Sequence, residues 1–212
     1  MEVQQWHKEI IGNKVVEALK KNEFDAVFFP TLEQTANFIM EHVKPEMKVG
    51  FGGSMTIKDM GIQDKVRAAG GTVLDHGESG LTSEERVATA REELLSDLYL
   101  SSSNAITMDG SLVNIDGMGN RVSALSFGPK KVIVVVSVDK VCKDEEAAFE
   151  RLEAIASPMN NKRLGILNPC TKTGSCMNCQ GSTRICRVYS VIRKKPVAAD
   201  MTVVIVGESA GY

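Results

Sequence analysis

DAVFFPTLEQTANFIMEHVKPEMKVGFG, residues 25–52, is the stretch that decides the fold. DAVFFP is a short apolar run of strand length, and Pro30 stops it, because proline brings no N–H to a ladder. Thr31 can N-cap the helix that follows, TLEQTANFIMEHV, with Gln34 at the capping-box position three residues on. Lys44-Pro45 ends that helix, since the residue before proline is steered out of the helical region. MKVGFG (47–52) then reads as a second strand. Strand, helix and strand in that order predict a right-handed crossover and a parallel sheet.

The pattern continues on both sides. Residues 2 to 22 read as an amphipathic helix, with Ile10, Ile11, Val15, Val16 and Leu19 near helical spacing. A helix is expected from Thr56 to Ala69, then a break at Gly70-Gly71 and the strand TVLDH. Residues 82 to 100 read as one long helix opening with Thr82, Glu84 and Glu85, a solvated and heavily charged face. SNAIT and SLVNI are short strands joined by a turn at Met108-Asp109-Gly110, with a loop at Asp116 to Asn120. KKVIVVVSV (130–138) is the strongest strand signal, a continuous apolar run suited to a sheet covered on both faces. A helix from Asp144 to Ala156, closed by Ser157-Pro158, leads to an irregular segment at 160–187. RVYSVIR and MTVVIVG are expected to finish the sheet. The fold class is therefore α/β: an open, mostly parallel, doubly wound sheet with helices on both faces and a small cysteine-rich C-terminal insertion. The expected organisation is one domain over 1–212, with 160–187 as a metal-binding insertion.

Charge and hydropathy narrow the function. The chain has 25 basic and 27 acidic side chains, a balance that argues against binding nucleic acid or a membrane surface electrostatically. No apolar run approaches the roughly 20 residues of a membrane-spanning helix, and the longest, Val132 to Val138 and Met201 to Gly207, are strand-sized. MEVQQWHKEIIGNKVVEALKK has no uninterrupted signal-peptide core, so a cytoplasmic protein is expected.

Three groups of residues carry candidate chemistry. Gly52, Gly53, Ser54 and Thr56 sit where the second strand hands over to a helix, a place where backbone N–H groups favour a carboxylate or phosphate; Asp59 can close a capping box on Thr56. The pattern is neither a P-loop nor a full dinucleotide fingerprint, and a plain tight turn with no ligand is the alternative to an anion site. Asn104, Thr107, Asp109, Asp116, Asn120 and Arg121 lie between strands whose ends should cluster. Arg121 can clamp a carboxylate and Asp109 or Asp116 can accept a proton, although hairpin turns call for the same residue types. His76 follows the strand TVLDH, where pocket residues sit in open sheets, and Asp75 and Glu78 are placed to orient it.

Cys170, Cys176, Cys179 and Cys186 give C-x5-C-x2-C-x6-C. Four soft ligands in so short a span suit an iron–sulfur cluster, a [4Fe–4S] centre best, or zinc. One C-x2-C hook departs from the paired hooks of zinc ribbons and matches no common ferredoxin spacing. Lys172, Arg184 and Arg187 can offset the thiolate charge, and Cys142, outside the group, reads as a small buried hydrophobe.

VGFGGSMT, SSNAITMDGSLVNIDGMGNRVSALSFGPKKVIVVV and NPCTKTGSCMNC with RIC together resemble the LUD-domain family, the lactate utilization proteins, over nearly the whole chain. The resemblance implies the fold shared by ribose-5-phosphate isomerases, glucosamine-6-phosphate deaminases and CoA transferases. It implies that the turn at Gly52–Thr56 and the stretch Asn104–Arg121 lie at the ligand pocket. It also implies a part in oxidising lactate, or a related hydroxy acid, to the keto acid, beside separate iron–sulfur partner proteins. Two rivals stand beside this: a non-redox enzyme on a sugar phosphate or CoA thioester, and a non-catalytic subunit of an iron–sulfur complex.

Overall fold

A computed structural model describes residues 2–212. The chain runs α1 (Glu2–Lys21), β1 (Asp25–Phe29), α2 (Leu32–Glu41), β2 (Lys48–Phe51), α3 (Met55–Asp59), α4 (Ile62–Ala68), β3 (Thr72–Leu74), α5 (Ser83–Glu93), β4 (Leu98–Ser101), β5 (Ala105–Thr107) and β6 (Leu112–Asp116). It continues through α6 (Asn120–Ser126), β7 (Lys131–Ser137), β8 (Val141–Cys142), α7 (Glu145–Arg151), α8 (Ser157–Arg163), α9 (Cys170–Thr173), β9 (Val188–Ile192) and β10 (Asp200–Val206).

Six strands form one parallel sheet in the order β1-β10-β7-β4-β2-β3. Both of its faces are buried, and the strand period of two divides them cleanly. Val132, Val134 and Val136 of β7 face one core with Val15 and Leu19 of α1. Ile133 and Val135 face the other with Ile39, Ile57 and Val66 from α2, α3 and α4. The α/β class, the parallel sheet and the helices on both faces therefore agree with the reading of the sequence.

Several expectations change. RVYSVIR does not join the main sheet: β9 pairs antiparallel with β6, in a second sheet of order β8-β5-β6-β9. The helix expected over 56–69 is two, α3 and α4, because Gly61 takes a left-handed φ of 63° between them. The helix expected over 82–100 stops at Glu93, and Leu98–Ser101 is a fully buried strand at the centre of the sheet. The Thr82–Glu85 capping box does open that helix. Residues 120–126 form α6. The helix expected to close at Ser157-Pro158 runs on to Arg163 through a wide π-type turn at Leu152–Ala156. Among the described residues no helix is long and apolar enough to cross a membrane.

Candidate functional site

A cleft of about 610 Å³ opens at the carboxyl ends of the parallel strands, where ligands bind in open α/β sheets. Successive strands feed it: Gly52–Thr56 after β2, His76 after β3, Ser102–Asn104 after β4 and Lys140 after β7. Asp116 comes from the end of β6, Asn120 and Arg121 from the start of α6, Ser157, Asn160 and Arg163 from α8, and Ser182–Arg187 from the cysteine segment. Of the residues singled out in the sequence, Gly52, Gly53, Ser54, Thr56, His76, Asn104, Asp116, Asn120, Arg121 and Cys186 meet in this one cleft. Thr107 and Asp109 do not line it. They bond to each other through the Thr107 hydroxyl in the β5–β6 turn, whose tip is pinned to α1 by the Asn22 amide on the Asp109 carbonyl at 2.7 Å. That turn reading, and not a proton-transfer role, is the one their position supports.

Gly52 answers to packing beneath it. A Cβ there would sit 2.7 Å from Ser101 Oγ and 2.8 Å from the Tyr99 hydroxyl, which is buried without a hydrogen-bond partner. Ser54, not Thr56, caps α3, its Oγ accepting from the Ile57 N–H at 3.3 Å. The α3 helix has only five residues, so the dipole argument for an anion at this turn loses most of its strength. Thr56 lies inside the helix and turns its hydroxyl to the Ala210 carbonyl at 3.4 Å.

His76 is the best-organised side chain in the cleft. Its backbone N–H donates to Glu93 Oε1 at 2.8 Å, and its Nδ1 lies 2.8 and 3.0 Å from the two oxygens of the same carboxylate. Glu93 is 1% exposed. Burial works against the imidazolium, but the hydrogen bond and charge of Glu93, aided by Asp75 and Asp116, outweigh it and hold the His76 pKa above its ordinary value. Burial likewise raises Glu93, with His76 opposing. The free Nε2 faces Gly53, 3.6 Å from where a Cβ would stand. Of the two groups expected to orient or tune His76, Asp75 stays close enough to favour the imidazolium while accepting from the Gly77 N–H at 2.8 Å, and Glu78 is drawn away to Arg67 at 2.6 Å. Glu93 was hidden inside the charged run of α5, where nothing local sets it apart from its solvated neighbours.

Arg121 is a brace. Its Nη1 donates to the Ser102 carbonyl at 3.2 Å and to Asn114 Oδ1, and its Nη2 to Asn104 Oδ1 at 2.9 Å and the Ile115 carbonyl at 2.7 Å. The expected carboxylate clamp is thus spent on joining the end of β4 to β6. Asp116 accepts from the Val122 N–H at 3.1 Å and so holds the start of α6.

Lys140, like Glu93, is absent from the sequence reading. It is 4% exposed, and its ammonium donates only to the hydroxyls of Thr56 at 3.3 Å and Ser102 at 3.2 Å. Burial, with Arg151 and Arg121 nearby, pushes its pKa down to about 7. The signal was available: VSVDK places a lysine just past the carboxyl end of the strongest strand.

The cysteine segment packs on the wide turn before α8. The Cys176 N–H donates to the Glu153 carbonyl at 2.9 Å, whose partner five residues on in the π-type turn is Pro158, with no N–H to give. Arg184 gathers the segment, donating to the Cys179 carbonyl at 2.8 Å and the Cys186 carbonyl at 2.7 Å. The Asn178 N–H points to Cys176 Sγ at 3.4 Å, the kind of contact that stabilises a thiolate ligand. Burial pushes the Cys170 thiol up, and Cys186, Cys179 and Cys176 add to the effect. The four thiols feel one another electrostatically, but among the described residues the possible ligand atoms that lie within 4.8 Å of one another are those of Asp75, His76 and Glu93, not the cysteine sulfurs. Cys142 stands apart in β8, its thiol raised by burial.

A family model described as the LUD domain matches residues 12–206. Among solved structures, a duf162 family protein from Deinococcus radiodurans is 15% identical, with 94% of this chain and 98% of that one covered and a TM-score of 0.49. eIF2B beta from Chaetomium thermophilum is 18% identical over 57% of this chain and 43% of that one, with a TM-score of 0.38. No curated protein matches.

Proposed function

The chain belongs to the LUD domain family, and on that footing we propose that it serves the utilization of lactate or a related 2-hydroxy acid, as a single domain with the cysteine segment as its metal-binding part. The observation that carries this reading is the His76–Glu93 pair, whose free Nε2 faces the same cleft as Cys186. A 2-hydroxy acid needs a base for its hydroxyl proton, and an imidazole oriented by a buried carboxylate is suited to take it. The Gly53–Ser54 turn forms one wall of the substrate cleft, with Asn120 and the Asn104–Arg121 brace shaping the far side. Oxidation to the 2-oxo acid releases two electrons and two protons; the electron acceptor is an iron–sulfur partner protein. Cys170, Cys176, Cys179 and Cys186 would hold the metal once drawn together, and an iron–sulfur centre there would supply one-electron transfer. Asp116 adds negative charge beside His76 without a proton-transfer role of its own. We place the fold with the superfamily of ribose-5-phosphate isomerases and CoA transferases, in keeping with a cleft at the strand carboxyl ends.

The test is an anaerobic preparation of the wild type and of His76→Asn, with metal analysis and visible spectra before and after adding lactate. Iron with matching sulfide, and a spectrum that lactate reduces in the wild type but not in the variant, is the expected result. One zinc and no colour would remove the redox reading and leave a non-redox enzyme on a sugar phosphate or CoA thioester.

A further inference from the structure

A buried ammonium with no counter-charge is costly unless something supplies one. Lys140 is such a group: among the described residues no carboxylate forms an ion pair with it, and its two partners are neutral hydroxyls at 3.2 and 3.3 Å. The groups around it deepen the deficit. Arg121 on α6 and Arg151 on α7 are both cationic, and Asp59 on α3 is exposed and a weak offset. Asp139, next in the chain, is turned outward to Lys8 at 2.8 Å. Lys140 nonetheless lines the cleft, so the missing negative charge can arrive from outside.

We propose that Lys140, its ammonium positioned by the Thr56 and Ser102 hydroxyls that accept from it while giving their own protons to the Ala210 and Ser103 carbonyls, is the receptor for one anionic group of the ligand, a carboxylate or a phosphate. The ligand then binds together with a proton. This rests on the reading of the cleft as a substrate site, and it assigns which atoms hold the anion. The step is an acid–base one: a proton from solvent joins the neutral amine as the anion settles beside it, and no other bond changes. Because the ammonium is otherwise destabilised to a pKa of about 7, proton uptake grows as the pH rises above neutrality. Affinity falls over the same range, by up to about tenfold per unit until the bound-state pKa is reached.

Calorimetry in phosphate-free buffers of different ionisation enthalpy reads this on the wild type directly. The probes are lactate, its neutral analogue lactamide, and inorganic sulfate, which has the shape of a phosphate and does not titrate near neutrality. Lactate taken up with a proton, lactamide unbound, and a roughly ten- to hundredfold loss in Lys140→Met is the expected result. Sulfate bound with a proton while lactate is ignored keeps the receptor and overturns the hydroxy-acid reading. Lactate bound without proton uptake, and equally by a folded Lys140→Met, overturns the receptor alone. Binding of neither probe overturns both. Since proton uptake is measured on the wild type, a variant that does not fold leaves the test intact.

Discussion

One carboxylate governs what His76 can do. Glu93 accepts from both the backbone and the ring of His76 and is almost wholly buried, so it fixes the ring while leaving Nε2 to the cleft. Burial would push the imidazole below its ordinary 6.5, yet the net shift is upward because Glu93 prevails, helped by Asp75 and Asp116. The sign follows by linkage. The pair's contribution to stability is full below pH 6.5 and is lost as pH rises through the raised folded value. On the acid side it also fails once Glu93, itself raised by burial, takes a proton. Glu93→Gln should therefore lower the His76 pKa, read by the ring-proton NMR titration, while keeping the ring in place through the amide oxygen. Glu93→Ala, which removes the acceptor altogether, should cost about 3–5 kcal/mol in urea unfolding. An unmoved titration in Glu93→Gln would mean that burial, not the pair, sets the histidine.

At the scale of elements, β4 shows what the sequence conceals. Leu98–Ser101 is only four residues long and follows a charged helix with no glycine or proline between them. What ends the helix is short polar chemistry. The Ser96 hydroxyl donates back to the Glu93 carbonyl at 2.7 Å, and Asp97 accepts from the Lys48 N–H at 2.9 Å. Serine and aspartate compete with helical bonding in this way, so Ser96-Asp97 is the stop signal that apolar periodicity overlooks. The long strands and the Pro30 and Gly70-Gly71 breaks were legible because each is continuous or punctuated. The division into two sheets was not, because β9 finds its partner in β6 only through tertiary packing. The consequence is measurable. Leu100 is fully buried between β2 and β7, so Leu100→Ala should cost about 2–5 kcal/mol. Thr82→Ala, which removes the capping box of α5, should cost about 1 kcal/mol. Thermal unfolding that ranked the two the other way would make β4 peripheral.

For the whole molecule, the question is how the cysteine segment belongs to the sheet beneath it. The cleft was partly legible, since Gly52–Thr56, His76 and Lys140 follow strands, whereas Glu93 needed burial and contact to be seen. The four cysteines stand together in the sequence, but of the four it is Cys186 that lines the cleft, and its place there depends on long-range bonds. The segment is held by the Asn168 amide on Asn161 at 2.7 Å, by Thr183 on Asn168 at 2.7 Å, and by the Arg187 N–H on the Asp116 carbonyl at 3.0 Å. These are few beside the two cores that grip the parallel sheet, and regions with few buried contacts open first. If the thiols bind metal in the native state alone, that binding adds stability locally. The Cys176→Ser, Cys179→Ser double variant should thus become cleavable by protease within residues 164–187, while amide exchange in β7 and β10 stays slow. Loss of protection throughout the sheet would instead make the segment a part of the main core. An unchanged cleavage pattern would mean that side-chain bonds hold it and the thiols are idle in the fold.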